Sequence, residues 1–289
     1  MVAVSRKAFL GISSSGFHRI SYTEWGDPAA THVVICVHGL TRNARDFDVL
    51  AHALADHCRV ICPDVVGRGQ SDWLERKLEY AYPQYLADMT TLIARATASR
   101  DGQTTIDWVG TSIGGLIGML LAAMARSPIR RLVINDIGPL IPKAALERIA
   151  SYLGKAPRFA ALADAETYVR TVSAGFGPLT DEQWRHLTAH NVRQDADGTW
   201  VMNYDPGIGE AFEGVVHGDI SLWDHWDRIQ APVLVLRGAQ SDLLLPATVQ
   251  EMMRRGPRAR LIEFQGVGHA PALMADDQVR AVRDFLCAD

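Results

Sequence analysis

The stretch Gly110-Thr111-Ser112-Ile113-Gly114-Gly115 constrains this chain more than any other. It follows a short apolar run, Ile106-Asp107-Trp108-Val109, and opens a longer one from Leu116 to Ala125. The first has the length and composition of a strand, while the second is too long for a buried strand and is rich in the helix formers Leu, Met and Ala. Ser112 therefore falls at a strand-to-helix corner. Such a corner holds the serine in a strained backbone conformation, and a side chain at 110 or 114 would crowd strand or helix, which glycine at both positions avoids. A serine that merely caps a buried helix would leave the same short pattern. The surrounding chain has to decide between the two.

With 289 residues, 48% of them hydrophobic and 21% charged, the chain can bury one large core, or a core with a second small lobe. A formal net charge of -4 and scattered Lys and Arg exclude the electrostatic footprint of a nucleic-acid or anionic-membrane binder, so a small neutral or weakly charged substrate fits better. Arg6 and Lys7 are followed by Gly11 to Gly16, which breaks the apolar core that an export signal needs. The apolar stretch behind Ser112 is shorter than the ~20 residues that span a bilayer. A cytoplasmic protein without membrane insertion is expected. Cys36, Cys58, Cys62 and Cys287 lie in apolar runs without paired C-x-x-C spacing, which predicts reduced core thiols rather than disulfides or a zinc site.

Taken in order, Phe9 to Ile12 and Ile20 to Trp25 read as two half-buried antiparallel strands. Val33 to Val37 is a continuous apolar run, the pattern of a strand covered on both faces, and it ends in His38-Gly39-Leu40. A helix over Asp46 to Ala55 leads to a buried strand at Arg59 to Pro63, then to Asp64 and Gly67-Arg68-Gly69-Gln70-Ser71. A helix over Tyr82 to Ala98, with Pro83 in its first turn, precedes the strand and helix around Ser112, and a sixth strand covers Arg131 to Asp136. Strand and helix alternating at this rhythm predict an α/β fold with a mostly parallel sheet flanked by helices. Residues 138–229 break the rhythm with helical and polar segments and four tryptophans (Trp184, Trp200, Trp223, Trp226), and read as a helical cap inserted after the sixth strand. The rhythm resumes with Val233 to Leu236, a helix from Pro246, the strand Leu261 to Phe264 and a closing helix, so residues 1–137 and 230–289 form the core.

In an open parallel sheet, ligands gather at the carboxyl ends of the strands. Those ends here carry His38-Gly39-Leu40, Asp64, Ser112, Asp136, Gly238 to Asp242, and Gly266-Val267-Gly268-His269. Ser, then acids, then His in a glycine-flanked loop, together with the other corners, resembles the α/β-hydrolase fold superfamily, and within it capped bacterial serine carboxylesterases. The resemblance runs over nearly the whole chain outside 138–229. It implies Ser112 as nucleophile at the elbow, His269 as general base and acid, and oxyanion donors at the N–H groups of Leu40 and Ile113. The acid is assigned to Asp242, after the strand 233–236, with Asp136 as the alternative, otherwise capping its own loop.

The activity so implied is cleavage of a small-molecule carboxylic ester through an acyl-enzyme, with no cofactor and no metal ion. Lactone, carbon-carbon or peroxide chemistry on the same triad, and a non-catalytic small-ligand receptor, stand as alternatives. Asp64 reads as structural, bonding turn N–H groups, and His38 as a prop for its loop. Arg42 reads as a solvated loop arginine, with a substrate carboxylate as the other option. His186 and His190 have helical i,i+4 spacing but no evident third metal ligand. Gly67-Arg68-Gly69 lacks the third glycine of a dinucleotide cradle. The tryptophans and Phe212 of 138–229 are expected first to pack among themselves, and only then to line a pocket.

Overall fold

A computed structural model describes residues 4–98 and 104–287. Eight strands form one sheet: β1 (Ser5–Ser13), β2 (Gly16–Trp25), β3 (His32–Val37), β4 (Arg59–Pro63), β5 (Thr105–Thr111), β6 (Ile129–Asn135), β12 (Val233–Gly238) and β13 (Arg260–Phe264). Their order is β1-β2-β4-β3-β5-β6-β12-β13. The hairpin β1–β2 joins the sheet antiparallel to β4, and every pairing from β4 onward is parallel. This is the expected α/β architecture, and the reversal of strand order at β3, which has β4 on one side and β5 on the other, sets the crevice in which ligands collect.

The parallel strands are apolar on both faces because both faces are covered. Val33, Ile35 and Val37 of β3 pack with Trp108 of β5 on one side, against Met89 and Leu92 of α2 (Tyr82–Thr97) and Leu116 and Ile117 of α3 (Ile113–Ala122). Val34 and Cys36 pack on the other, with Leu50 and Leu54 of α1 (Asp48–Leu54) and Val282 and Phe285 of α10 (Asp276–Leu286), the helix that follows α9 (Pro246–Arg254). Pro83 enters α2 in its first turn, as its missing N–H requires. All four cysteines are free. Cys36, Cys58 and Cys62 are core thiols, and burial pushes the Cys58 thiol up to about 12, whereas Cys287, at the end of α10, is exposed.

Between β6 and β12, residues 137–232 leave the sheet. They form α4 (Lys143–Ala150), α5 (Leu162–Val172), α6 (Asp181–Asn191), α7 (Ile208–Glu213) and α8 (Trp223–Trp226). They also contain short strands that the sequence pattern did not announce: β8 (Arg158–Phe159), β10 (Trp200–Met202) and β9 (Val192–Gln194) pair in one small sheet, and β7 (Leu140–Ile141) with β11 (Ile220–Ser221) in another. Strands of two or three residues are too short to display an alternation. Trp226 is fully buried and Trp184 nearly so.

The start of α3 is seated directly on the sheet. A Cβ at Gly114 would lie 2.0 Å from the Val37 carbonyl oxygen, and one at Gly110 would lie 2.2 Å from that of Gly114. Both obstacles are backbone and cannot swing aside. Gly114→Ala is therefore expected to lower Tm by about 2–5 °C, from an overpacking cost of about 1–3 kcal/mol. An unchanged melting curve would mean that α3 does not sit against β3 in this way.

Candidate active site

Ser112 occupies the corner between β5 and α3 with φ 52° and ψ -116°, a conformation that costs a non-glycine residue about 1–3 kcal/mol. Its own backbone holds it there: its N–H donates to Asn135 O at 3.0 Å, and its carbonyl accepts from Gly115 N and Leu116 N. The hydroxyl is thereby turned out of the strand toward the loop that follows β13. His269, in that loop, brings Nε2 to 3.1 Å from Ser112 Oγ. The loop is braced on two sides, by Asn135 Nδ2 donating to Pro271 O at 2.8 Å and by Gly268 N donating to Gly175 O at 2.8 Å.

The other ring nitrogen, His269 Nδ1, lies 2.7 Å from Oδ2 of Asp136. Asp242, expected as the partner of this histidine, is elsewhere. Its exposed carboxylate pairs with Arg148 of α4 at 2.6 Å, facing away from the imidazole. The loop Gly238 to Asp242 curls so that Ser241 points inward, leaving the next residue to point out. Ser241 Oγ donates to Asp136 Oδ2 at 2.5 Å, and Gly238 N donates to Asp136 Oδ1 at 2.8 Å. Asp136 is fully buried, with φ 57°, and its N–H donates to Leu236 O. These donors and the imidazole replace the water that a buried carboxylate would otherwise lack. Ser241 was invisible as a site residue in the sequence, because a serine in a polar loop carries no pattern of its own.

Gly39 passes within van der Waals reach of Ser112, since a Cβ built on it would be 3.8 Å from the serine Cβ. Leu40 and Ile113 both border the same cavity as Ser112 and His269, and neither N–H has an acceptor among the described residues. The loop carrying Leu40 is fixed from below. Arg68, with no exposure, donates from Nε to Leu40 O at 2.9 Å and from Nη1 to Val66 O at 2.7 Å, and its guanidinium lies over Tyr85. Arg42 is buried rather than solvated: Nε and Nη2 each reach Asp46 at 2.8 Å, and its plane covers Phe176. Asp64 accepts from Ala44 N and Gln70 N, as expected of a turn-bonding acid.

Above these residues lies a cavity of about 250 Å³, floored by Ser112 and His269 and walled by both the core and 137–232. Tyr82, Tyr152, Tyr168 and Tyr204 line it with Phe176 and Phe212, whereas none of the four tryptophans does. Burial raises the phenols of these four, out of six tyrosines on the lining, so they stay uncharged at neutral pH. Arg42 and Arg148 are the cations that border the cavity among the described residues.

Comparison with known proteins identifies the family. Residues 34–282 match the model of the alpha/beta hydrolase family. The chain belongs to that family. Among proteins of this family, it is 47% identical over 282 residues to a 3-hydroxybutyrate-oligomer hydrolase of Cupriavidus necator, covering 95% of this chain and 94% of that one. It is 30% identical over 279 residues to an esterase of Mycobacterium tuberculosis, covering 92% of this chain and 85% of that protein. A crystal structure of an alpha/beta hydrolase from Novosphingobium aromaticivorans superposes with a TM-score of 0.86 at 34% identity, covering 99% of each chain. Among the described residues no helix is long and apolar enough to cross a membrane.

The hydrolase core also fixes a tautomer. His38 is 1% exposed, its Nδ1 donates to Gly39 O at 2.7 Å, and its Nε2 accepts from Val65 N at 2.9 Å. Burial lowers its pKa to about 4. The unfolded chain takes up this proton near pH 6.5 and the folded chain only near 4, so the stabilisation is complete above pH ~6.5 and fades as pH falls through ~4, about 3 kcal/mol in all. Asp64 works in the opposite sense. Burial raises its carboxyl to about 6, and the cost of holding it charged, present above that pH, disappears on acidification. The two largely offset each other between pH 6 and 4, so the test is spectroscopic. NMR of the imidazole should find His38 neutral at about pH 5.5, where exposed histidines are mostly protonated; a cationic ring there would remove its role as a fixed donor and acceptor beneath the loop.

Proposed function

We propose that this chain is a serine hydrolase of carboxylic esters, with Ser112, His269 and Asp136 as its catalytic residues. The observation that carries the reading is the unbroken hydrogen-bond line from Ser112 Oγ through both ring nitrogens of His269 to a buried carboxylate, at the floor of an apolar cavity. A serine hydroxyl is a poor nucleophile until its proton is removed. His269 Nε2 accepts that proton as Oγ attacks the ester carbonyl, and Asp136 stabilises the imidazolium and fixes its tautomer. The N–H groups of Leu40 and Ile113 receive the oxyanion; each such donor is worth about 3 kcal/mol in the transition state. His269 then protonates the leaving alcohol, and water, deprotonated by the same nitrogen, releases the acid from Ser112. No metal ion or cofactor enters this scheme.

Residues 137–232 act as a cap over this chemistry, walling the cavity from water. Its apolar, tyrosine-rich lining suits a short aliphatic acyl chain with ester oxygens along it. The 47% identity to a 3-hydroxybutyrate-oligomer hydrolase, over almost the full length of both proteins, favours oligomers of short hydroxy acids as substrate.

Two measurements test the reading. Wild type should hydrolyse p-nitrophenyl butyrate and release monomer from a 3-hydroxybutyrate trimer, and a sulfonyl fluoride should add to Ser112; absence of labelling on folded protein would end the serine mechanism. Asp136→Asn should lower kcat by about 10³–10⁴, because the imidazole loses its anionic partner, while Asp242→Asn should remain within a few fold of wild type. The reverse ranking would return the role to Asp242.

A further inference from the structure

His186 and His190, which the sequence leaves without a third ligand, acquire one in the fold. They stand one turn apart on α6, with ring centroids 4.6 Å apart, and Asp48 at the start of α1 faces them from the core. Asp48 Oδ2 lies 3.4 Å from His186 Nε2, and one ligand atom from each of the three residues falls within 4.8 Å of the others. We propose that Asp48, His186 and His190 bind one divalent transition-metal ion of the zinc type, tying α6 to the core.

The distances suit such an ion. Metal–nitrogen and metal–oxygen bonds of about 2.0–2.1 Å at tetrahedral angles set neighbouring ligand atoms about 3.3 Å apart. The separation of His186 Nε2 from Asp48 Oδ2 already has this length, and the ligand atom of His190 lies within 4.8 Å of both, leaving at most about 1.5 Å for the ion to draw in. His190 is also oriented for the task. Its Nδ1 donates to His186 O at 2.9 Å, which leaves Nε2 as the ligand, and a backbone carbonyl holding the second ring nitrogen is the usual support for a metal-binding histidine. The proton that His186 Nε2 now directs at Arg45 O, 3.1 Å away, lies where the ion would replace it.

Two features define the behaviour of the site. Arg45 Nε contacts both Asp48 oxygens, at 2.9 and 2.7 Å, so the ion must share this carboxylate with a guanidinium, and binding is moderate rather than tight. None of the three ligands borders the cavity over Ser112, so the site is distinct from the catalytic one. α6 is itself well ordered at its start by a capping box, Thr180 Oγ1 accepting from Gln183 N and Gln183 Oε1 accepting from Thr180 N. The same seam holds Asn43 Nδ2 on His190 O at 3.0 Å. An ion there would fasten the segment 137–232 to the turn that follows Leu40.

The test uses the full chain after EDTA treatment and dialysis. Co²⁺ titration should give the visible bands of a four- or five-coordinate nitrogen–oxygen site, saturating at one ion per chain by about 100 µM, and 100 µM Zn²⁺ should raise Tm by about 3 °C or more. Both effects should vanish in His186→Gln and in His190→Gln, whose metal-free melting curves and ester hydrolysis report that the fold is intact. If His190→Gln fails to fold, His186→Gln, whose side chain is partly exposed, carries the test. His269→Gln should keep both effects, since His269, beside Asp136 and Ser112, lies outside the proposed site. Binding that persists in the α6 variants, binding lost in His269→Gln, or no bands at 100 µM Co²⁺ would each overturn the assignment.

Discussion

The fold turns on how closely one helix can approach one strand. With hydrogen in place of a side chain at 110 and 114, α3 starts almost in contact with the carbonyl that ends β3. That approach puts the serine corner and the His38-Gly39-Leu40 turn side by side, so a hydroxyl and two outward N–H groups share one small volume. Everything else in the site is arranged around this fixed point: the His269 loop is drawn to it by Asn135, and the Leu40 turn is held from beneath by His38 and Arg68.

The supporting polar groups are buried to an unusual depth for their type. His38, Asp64, Arg68 and Asp136 are each at most 6% exposed. The first three bond chiefly to backbone groups, and Asp136 to Gly238 N, Ser241 Oγ and His269 Nδ1, so none relies on a single opposite charge. Burial of this kind costs free energy unless the partners are well placed, and it then fixes geometry more firmly than a surface ion pair can. In a low-dielectric floor, the same preorganised dipoles act strongly on any charge that develops above them.

Much of this was legible in the sequence, for identifiable reasons. The parallel strands announce themselves because both faces are covered, and the serine corner because only glycine tolerates the contacts at 110 and 114. The gathering of Leu40, Ile113 and His269 around one cavity with Ser112 follows from their positions at strand ends. The carboxylate beside His269 differs from the sequence expectation because Asp136 and Asp242 both stand at such ends, and one residue of curl in the Gly238 loop decides which of Ser241 and Asp242 faces inward. Arg42 was misjudged because burial of a guanidinium depends on Asp46 and Phe176 arriving together, which no local pattern records. Asp48 joins His186 and His190 only through tertiary packing. The two- and three-residue strands within 137–232 carry too few positions for a period to emerge.

Asp136 closes β6 at one edge of the sheet, and Gly238 and Ser241, which solvate its carboxylate, close the neighbouring parallel strand β12 at the same edge. The excursion leaves from this edge after Asp136 but re-enters at the other, where Pro232 O accepts from Leu132 N. One anion therefore ties the ends of both strands together whatever is spliced between them, so the segment can change in length and shape like a cassette while His269 keeps its carboxylate partner. Diversity of ligand and constancy of chemistry are written into separate pieces of the polymer.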